Sequence, residues 1–310
     1  MSITDWQLPR DREYYRVYRR DMRRQKVRRF AHRIATWVEN SWRVPQWKKA
    51  GQRPRPKLST CIITMDSAER IQPLLRYIRS FSDEIVVGVD SKTTDNTFEV
   101  CQGLADELFI IQSDALTCNA GLEALVERCH GDWVLRLDDD EFPEPHLTEL
   151  LGGLLSTDRY THYKMPRLHL CNIEPLQWIN DGYLYPDFQM RLFVNNRSLL
   201  KFPGAVGHLG IECQGPRGRL NSVNLIHLNM AINPRFRREE KLEKYIRRLN
   251  GGWVHPVNEH ALLWEDFNYR IEPYNYPDPA FRQLLIETTR HQRDWYICAA
   301  KTKHQSSTPL

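Results

Sequence analysis

The sequence predicts an α/β protein built on a parallel sheet, and two observations carry that expectation. Between Leu58 and Leu137, short apolar runs alternate with stretches whose apolar residues recur at helical spacing. Polar strand ends recur in the same region, at Asp66, Asp90 and Asp138–Glu141. In parallel sheets with helices on both sides, ligands bind outside the carboxyl ends of the strands. The acidic ends therefore fall along one edge, where a ligand would sit.

Taken in order, Leu58–Thr64 reads as a strand, and Ile71, Leu74, Leu75, Ile78 and Phe81 mark one helical face. Glu84–Val89 is a second strand ending at Asp90, followed by a helix over Thr97–Leu104 that Thr94 or Asp95 caps. Leu108–Gln112 is a third strand, Leu122, Leu125, Val126 and Cys129 line another helix, and Trp133–Leu137 closes the series. After Pro145 the alternation stops. A helix over His146–Leu155 precedes strand-like segments at Tyr160–Leu170, Gln189–Val194 and Val223–Leu228, broken by Gly/Pro loops. Helices are expected over Arg235–Leu249 and Pro279–His291, then a polar tail from Thr302.

At 310 residues and 41% hydrophobic content, the chain can hold one large domain, or a medium domain with appendages. Its seven cysteines are scattered, odd in number and never spaced CxxC, which argues against a disulfide or zinc framework and for a reducing cytoplasm. No apolar run approaches the roughly 20 residues of a membrane span, and the N-terminus carries no signal-peptide core. The net charge of +5 is uneven: residues 1–57 hold 17 Lys/Arg against 5 Asp/Glu, or +12, leaving −7 for the remainder.

That basic segment reads as a helix over residues 10–43, with Tyr14, Val17, Tyr18, Met22, Phe30, Ile34, Trp37 and Val38 at three- and four-residue steps among arginines. Such a helix either packs its stripe on the main domain or lies on an anionic membrane surface at the cytoplasmic face, and nucleic acid is not an expected partner. Gly51–Pro56 reads as an extended linker. The expected organisation is a basic extension and linker (1–56), a central domain (57–250, dividing at 145/146) and a C-terminal helical extension (251–310).

In Asp138–Glu141 four adjacent acids repel one another, so compensating positive charge is expected nearby. On an extended backbone Asp138 and Asp140 share a side, with Cα atoms about 6–7 Å apart, close enough to share a divalent cation. A solvated turn capping the next helix is the bland alternative. The recurrence of acids at the other strand ends favours a site.

Glu84-Ile85-Val86-Val87-Gly88-Val89-Asp90-Ser91-Lys92-Thr93-Thr94-Asp95-Asn96-Thr97 and Gly131-Asp132-Trp133-Val134-Leu135-Arg136-Leu137-Asp138-Asp139-Asp140-Glu141 resemble the two signature stretches of family 2 glycosyltransferases of the GT-A type. Asn119, Tyr185–Phe193, Val206-Gly207-His208, Leu225–Leu228 and Arg238–Tyr245 resemble later family segments, although Leu209 stands where Glu is usual. The resemblance covers about Lys57 to Leu249. It implies a GT-A fold, a Rossmann-like nucleotide-binding sheet with a mixed C-terminal acceptor half. It also implies metal-dependent inverting transfer of a sugar from a UDP- or dTDP-sugar to a glycan, lipid-linked or protein acceptor.

Residue by residue, the resemblance implies Asp140 as ligand of Mn²⁺ or Mg²⁺, with Asp138 on the ribose or assisting the metal. Asp139 would point away from both, and Glu141 would orient the donor sugar or the loop. His227 would complete the metal shell or meet a phosphate, with His208 a weaker candidate. Asp90 would accept from the nucleobase imide; Thr64, Asp66 and Glu69 would flank the base; Asn119 matches a common family asparagine; Arg70, Lys92 and Arg191 would face the diphosphate. Inversion needs a general base on the acceptor side, and the candidates are Asp187, Asp181 and then Glu174, with Asp187 alternatively pairing Arg191. Trp178, Tyr183 and Tyr185 could stack on a sugar. Two other readings stand beside this one. A sugar-phosphate nucleotidyltransferase usually has a Gly-rich loop after the first strand, and Thr64–Arg70 has no glycine. A non-enzymatic membrane- or polyanion-binding protein would act through the basic helix.

Overall fold

The computed structural model describes residues 12–51, 54–112, 121–181, 184–203, 210–248 and 262–306. The chain forms two compact units, one of residues 36–166 with 188–225, the other of residues 1–35, 167–187 and 226–310. In chain order the leading elements are α1 (Arg12–Val38), a π-helical turn (Glu39–Arg43) and α2 (Val44–Ala50). The alternating region follows: β1 (Leu58–Thr64), α3 (Ala68–Arg79), β2 (Glu84–Asp90), α4 (Thr97–Cys101), β3 (Glu107–Ile111), α5 (Leu122–Glu127) and β4 (Trp133–Asp138).

The first unit holds the sheet that the alternation predicts. β1 lies at its centre and pairs in parallel with β2 on one side and β4 on the other, with β3 parallel to β2. All seven residues of β1 are buried, as a strand with helices over both faces must be. Ile71, Leu74, Leu75 and Ile78 of α3 are buried together with Ile62, Ile85, Val87, Leu135 and Leu137. The register brings Thr64 opposite Val89 and Ile63 opposite Asp138, so the carboxyl ends of β1, β2 and β4 are level.

After β4 come β5 (Glu141–Pro143), α6 (His146–Leu155), β6 (His162–Ile173), β7 (Leu176–Ile179) and β8 (Asp187–Val194). β8 runs antiparallel beside β4, with Leu135 opposite Leu192, which makes the second half of the sheet mixed. The short strands β9 (Leu200–Lys201) and β10 (Glu212–Cys213) form a separate pair, and β11 (Arg217–Arg219) adds in parallel to β6. The expected architecture, a parallel nucleotide-type sheet followed by a mixed half, is therefore present. β5, β7 and β9–β11 were not expected, because runs of two to four residues are too short to show a period.

Val44–Ala50 packs on α6 through Gly152 and Gly153. A Cβ at Gly153 would lie 2.4 Å from the Trp47 backbone, so only glycine lets the two helices approach this closely. Ahead of α2, the buried Glu39 carboxylate accepts from the Asn221 and Ser222 N–H groups at 2.7 and 2.9 Å.

The other unit holds β12 (Leu225–His227, from Ile226), α7 (Asn229–Ile232), α8 (Arg235–Arg248), β13 (Ile271–Pro273) and α9 (Pro279–Ser306), which runs beyond the expected His291. β7 pairs antiparallel with the end of β6 and with β13. Leu242 and Ile246 of α8 pack on Leu262, Leu263 and Phe267.

The stripe expected along the basic helix divides in two. Val17 is buried and Tyr18 and Met22 are half-buried, whereas Phe30, Ile34, Trp37 and Val38 are exposed. At about 100° per residue, Val17, Tyr18 and Met22 centre roughly 160° around the helix from Phe30, Ile34, Trp37 and Val38, so the two groups turn to opposite sides.

Candidate functional site at the acidic edge of the sheet

β4 ends at Asp138; Asp139 and Asp140 form a turn, and Glu141 begins β5. Arginines from three elements meet these acids. From β8, Arg191 forks onto Glu141, with Nε to Oε2 at 2.7 Å and Nη2 to Oε1 at 2.8 Å, and also reaches Asp138 Oδ2 at 2.6 Å. Within β4 itself, Arg136 reaches Asp138 Oδ1 at 2.6 Å. From α3, Arg70 donates to Asp139 Oδ2 at 2.8 Å, and the Thr64 hydroxyl donates to the same oxygen at 2.7 Å. Glu141 is fully buried, so its bidentate partner is needed to offset desolvation.

Asp140 is different. Its carboxyl is pushed up from 3.8 to about 7, first by burial, then by the charges of Asp139 and Asp138, with Arg70 pulling the other way. The local balance of charge thus disfavours a fourth negative group, and a cation there would relieve it. Among the described residues no three His, Cys, Asp or Glu side chains converge as a ready-made metal centre. Mg²⁺ and Mn²⁺ bind through one or two carboxylates plus phosphate and water oxygens. The donor set at Asp138 and Asp140, hard oxygens in an electron-rich pocket of acids, fits such a cation.

Beside the acids, Asp90 ends β2 buried, and its Oδ1 accepts the Lys92 N–H at 2.9 Å. Asp66 adopts a left-handed conformation, φ 47°, and its Oδ1 accepts from the Thr94 N–H at 2.7 Å and hydroxyl at 3.0 Å. That bond clips the loop after β1 to the loop after β2. Asp95 caps α4, accepting the Thr97 N–H at 3.0 Å, and also holds the Ala68 N–H at 3.1 Å. Thr64, Asp66, Arg70, Asp90, Asp138, Asp140 and Arg191 therefore all lie in one unit, on elements whose ends adjoin. Asn119, His208 and Tyr183 lie outside the described residues.

Asp187, Asp181 and His227 lie in the other unit. Arg167 brings Nε and Nη2 to Asp187 Oδ2 at 2.9 and 2.8 Å, and His169 Nε2 stands 3.6 Å from the same oxygen. Burial alone would raise the Asp187 pKa, but the charge of Arg167 and the adjacent His169 ring outweigh it and hold the carboxyl well below the usual range. Arg167 is thus an ion-pair partner of Asp187. His227 Nδ1 lies 2.9 Å from His169 Nδ1, the rings edge-on at 4.9 Å. One of the two rings donates to the other, the direction being set by the tautomer. Asp181 pairs with Arg29 at 3.0 Å, Glu174 pairs with Arg290, and Trp178 meets Tyr185 edge-on at 4.8 Å.

Arg136, Arg167 and His169 escaped the sequence reading. Arg136 stands two residues before Asp138 and Arg167 two before His169, so each pair shares a strand face, a period-two signal that was available.

Residues 59–197 match the family model described as Glycosyl transferase family 2. Uncharacterized glycosyltransferases of Rickettsia bellii and Rickettsia prowazekii are each 28% identical over 116 residues, 36% of this chain. The match spans only 38% of the length of those relatives. Among solved structures, glucosyl-3-phosphoglycerate synthase from Mycobacterium tuberculosis, in complex with Mn²⁺, UDP and glucosyl-3-phosphoglycerate, is similar at TM-score 0.41 and 14% identity, covering 75% of this chain and 91% of that one. A mannosyltransferase from Pyrobaculum calidifontis, in complex with GDP-Man and Mn²⁺, is similar at TM-score 0.40 and 15% identity, covering 91% and 87%.

Proposed function

We propose, from the match of residues 59–197 to the family 2 glycosyltransferase model, that the chain transfers a sugar from a nucleotide-sugar donor to an acceptor hydroxyl with inversion. The observation that carries this reading is the level set of acidic strand ends, Asp90 beside Thr64 and the Asp138–Glu141 turn, in one unit. A UDP- or dTDP-sugar is the proposed donor, and a glycan, a lipid-linked group or a protein the acceptor.

Asp140, with Asp138, would hold Mn²⁺ or Mg²⁺, which when bound neutralises charge on the leaving diphosphate. Asp90 would accept from the imide N–H of uracil or thymine, with Thr64, Asp66 and Glu69 flanking the base, Asn119 a further nucleotide-sugar contact and Asp138 meeting the ribose. Arg191 already neutralises Glu141 and Asp138, so its proposed part is to hold those acids in place and add positive charge near the phosphates. Arg70 does the same for Asp139. The acceptor hydroxyl must lose a proton as it attacks, and Asp187 or Asp181 would take it. The strongly depressed pKa of Asp187 makes it a weak base, and Arg167 and His169 would have to loosen for it to act. His227 is the proposed further ligand of the metal or of a phosphate.

The test is product analysis on the full chain with a panel of nucleotide sugars, with Mn²⁺ or with chelator. Metal-dependent release of a nucleoside diphosphate supports the reading. Release of pyrophosphate instead would assign nucleotidyl transfer, and unchanged turnover in Asp140→Ala would remove the metal assignment.

A further inference from the structure

We infer that the outward face of α1 is a docking surface for an anionic phospholipid bilayer, lying on the membrane rather than crossing it. Residues 27, 30, 34, 37 and 38 follow steps of three, four, three and one, which put them on one helical face. That face is exposed: Val27 by 69%, Phe30 by 66%, Ile34 by 50%, Trp37 by 67% and Val38 by 41%, with Trp42 beyond it at 68%. The side of the helix turned inward is mostly polar, with Gln25, His32 and Glu39 buried. From Gln25 onward the helix is therefore inverted relative to an ordinary packed amphipathic helix, whose apolar stripe faces the core.

Charge selects the occupant. Continued toward the N-terminus at the same four- and three-residue steps, the apolar line becomes Arg23, Arg20 and Arg16. Arg16, Arg19, Arg20, Arg23 and Arg24 line an open concavity of about 480 Å³, able to take anionic headgroups. Lys26, Arg28 and Arg33 are exposed beside the apolar residues. Between Tyr14 and Val38 the only acid is Asp21, which is mostly buried and pairs with Arg20. Exposed aromatics flanked by cations suit the water–bilayer interface, where the rings reach the acyl boundary while arginines meet phosphates. No described helix is long and apolar enough to cross a membrane.

The inference does not depend on glycosyl transfer, and its test does not read it. The full chain is co-sedimented with phosphatidylcholine vesicles with and without phosphatidylglycerol. The expected result is binding only with phosphatidylglycerol, weakened by salt, and reduced at least about tenfold in a Phe30→Ser/Ile34→Ser/Trp37→Ser variant. Arg20→Glu/Arg23→Glu/Arg24→Glu should lose the phosphatidylglycerol dependence. Both sets of positions face outward, and unchanged circular dichroism and melting would show that the variants fold. Absence of binding to phosphatidylglycerol vesicles, or equal binding by the serine variant, overturns the inference. So does light scattering showing a dimer that the serine substitutions dissociate while the vesicles are ignored.

Discussion

Asp140 and Glu141 are neighbours in sequence and opposites in circumstance. Glu141 is fully buried and held by the fork of Arg191, so its charge is compensated. Arg191→Met would strand that carboxylate and release one side of Asp138; breaking a buried pair of this kind costs about 3–5 kcal/mol. Denaturant unfolding should show that loss. Arg191→Lys should recover only part of it, because an ammonium cannot form the two parallel bonds. A loss below about 1 kcal/mol would mean that the fork contributes little. At Asp140 the opposite holds: burial and two adjacent carboxylates oppose its charge. Asp140→Asn should therefore leave the metal-free fold as stable or more so, while lowering sugar transfer at least about a hundredfold, the scale of losing one strong electrostatic contact in a reacting site. Turnover within a few-fold of the parent would contradict it. The acidic run at the end of β4 was legible in the sequence, but Arg70 and Arg191 were not assignable to particular acids. They lie 69 and 50 residues from Asp139 and Glu141, and nothing local records that separation.

At the scale of elements, the βα alternation was readable because each strand carries a short apolar run and α3 keeps a buried face of Ile and Leu. Short pieces were not, and neither was the direction in which α1 turns its stripe. Periodicity reports that an apolar face exists; burial depends on what surrounds it. The seating of α2 on α6 was also invisible, although the adjacent glycines Gly152 and Gly153 inside a helix were its trace. Gly153→Ala gains up to about 1 kcal/mol of helix propensity. It also places a Cβ 2.4 Å from backbone atoms of Trp47 that cannot swing aside. Overpacking of this sort costs about 1–3 kcal/mol. Net destabilisation is therefore expected in thermal melts, and a raised melting temperature would show that α2 is loosely held.

For the whole molecule, the raised pKa of Asp140 sets a pH dependence. A carboxyl whose folded pKa rises from 3.8 to about 7 binds its proton more tightly folded than unfolded. Its contribution to stability is complete below about pH 4 and is lost as pH rises through about 7. Metal-free protein should thus lose stability across that window, and Asp140→Asn should flatten the decline. Mn²⁺ held by Asp140 as proposed would compete with that proton, so the rise in melting temperature on adding Mn²⁺ should be larger near pH 8 than near pH 5.5. An equal shift at both values would place the metal elsewhere. The sequence by itself determined the α/β class, the parallel order of the first half and the acidic strand ends, because these depend on composition and on periods of two and 3.6 residues along a contiguous stretch. Only the tertiary structure decided which arginine meets which acid, that Asp187 is held by Arg167, and that the aromatic half of the basic helix faces outward. Those outcomes depend on which residues far apart in the chain become neighbours, and local pattern carries no record of that.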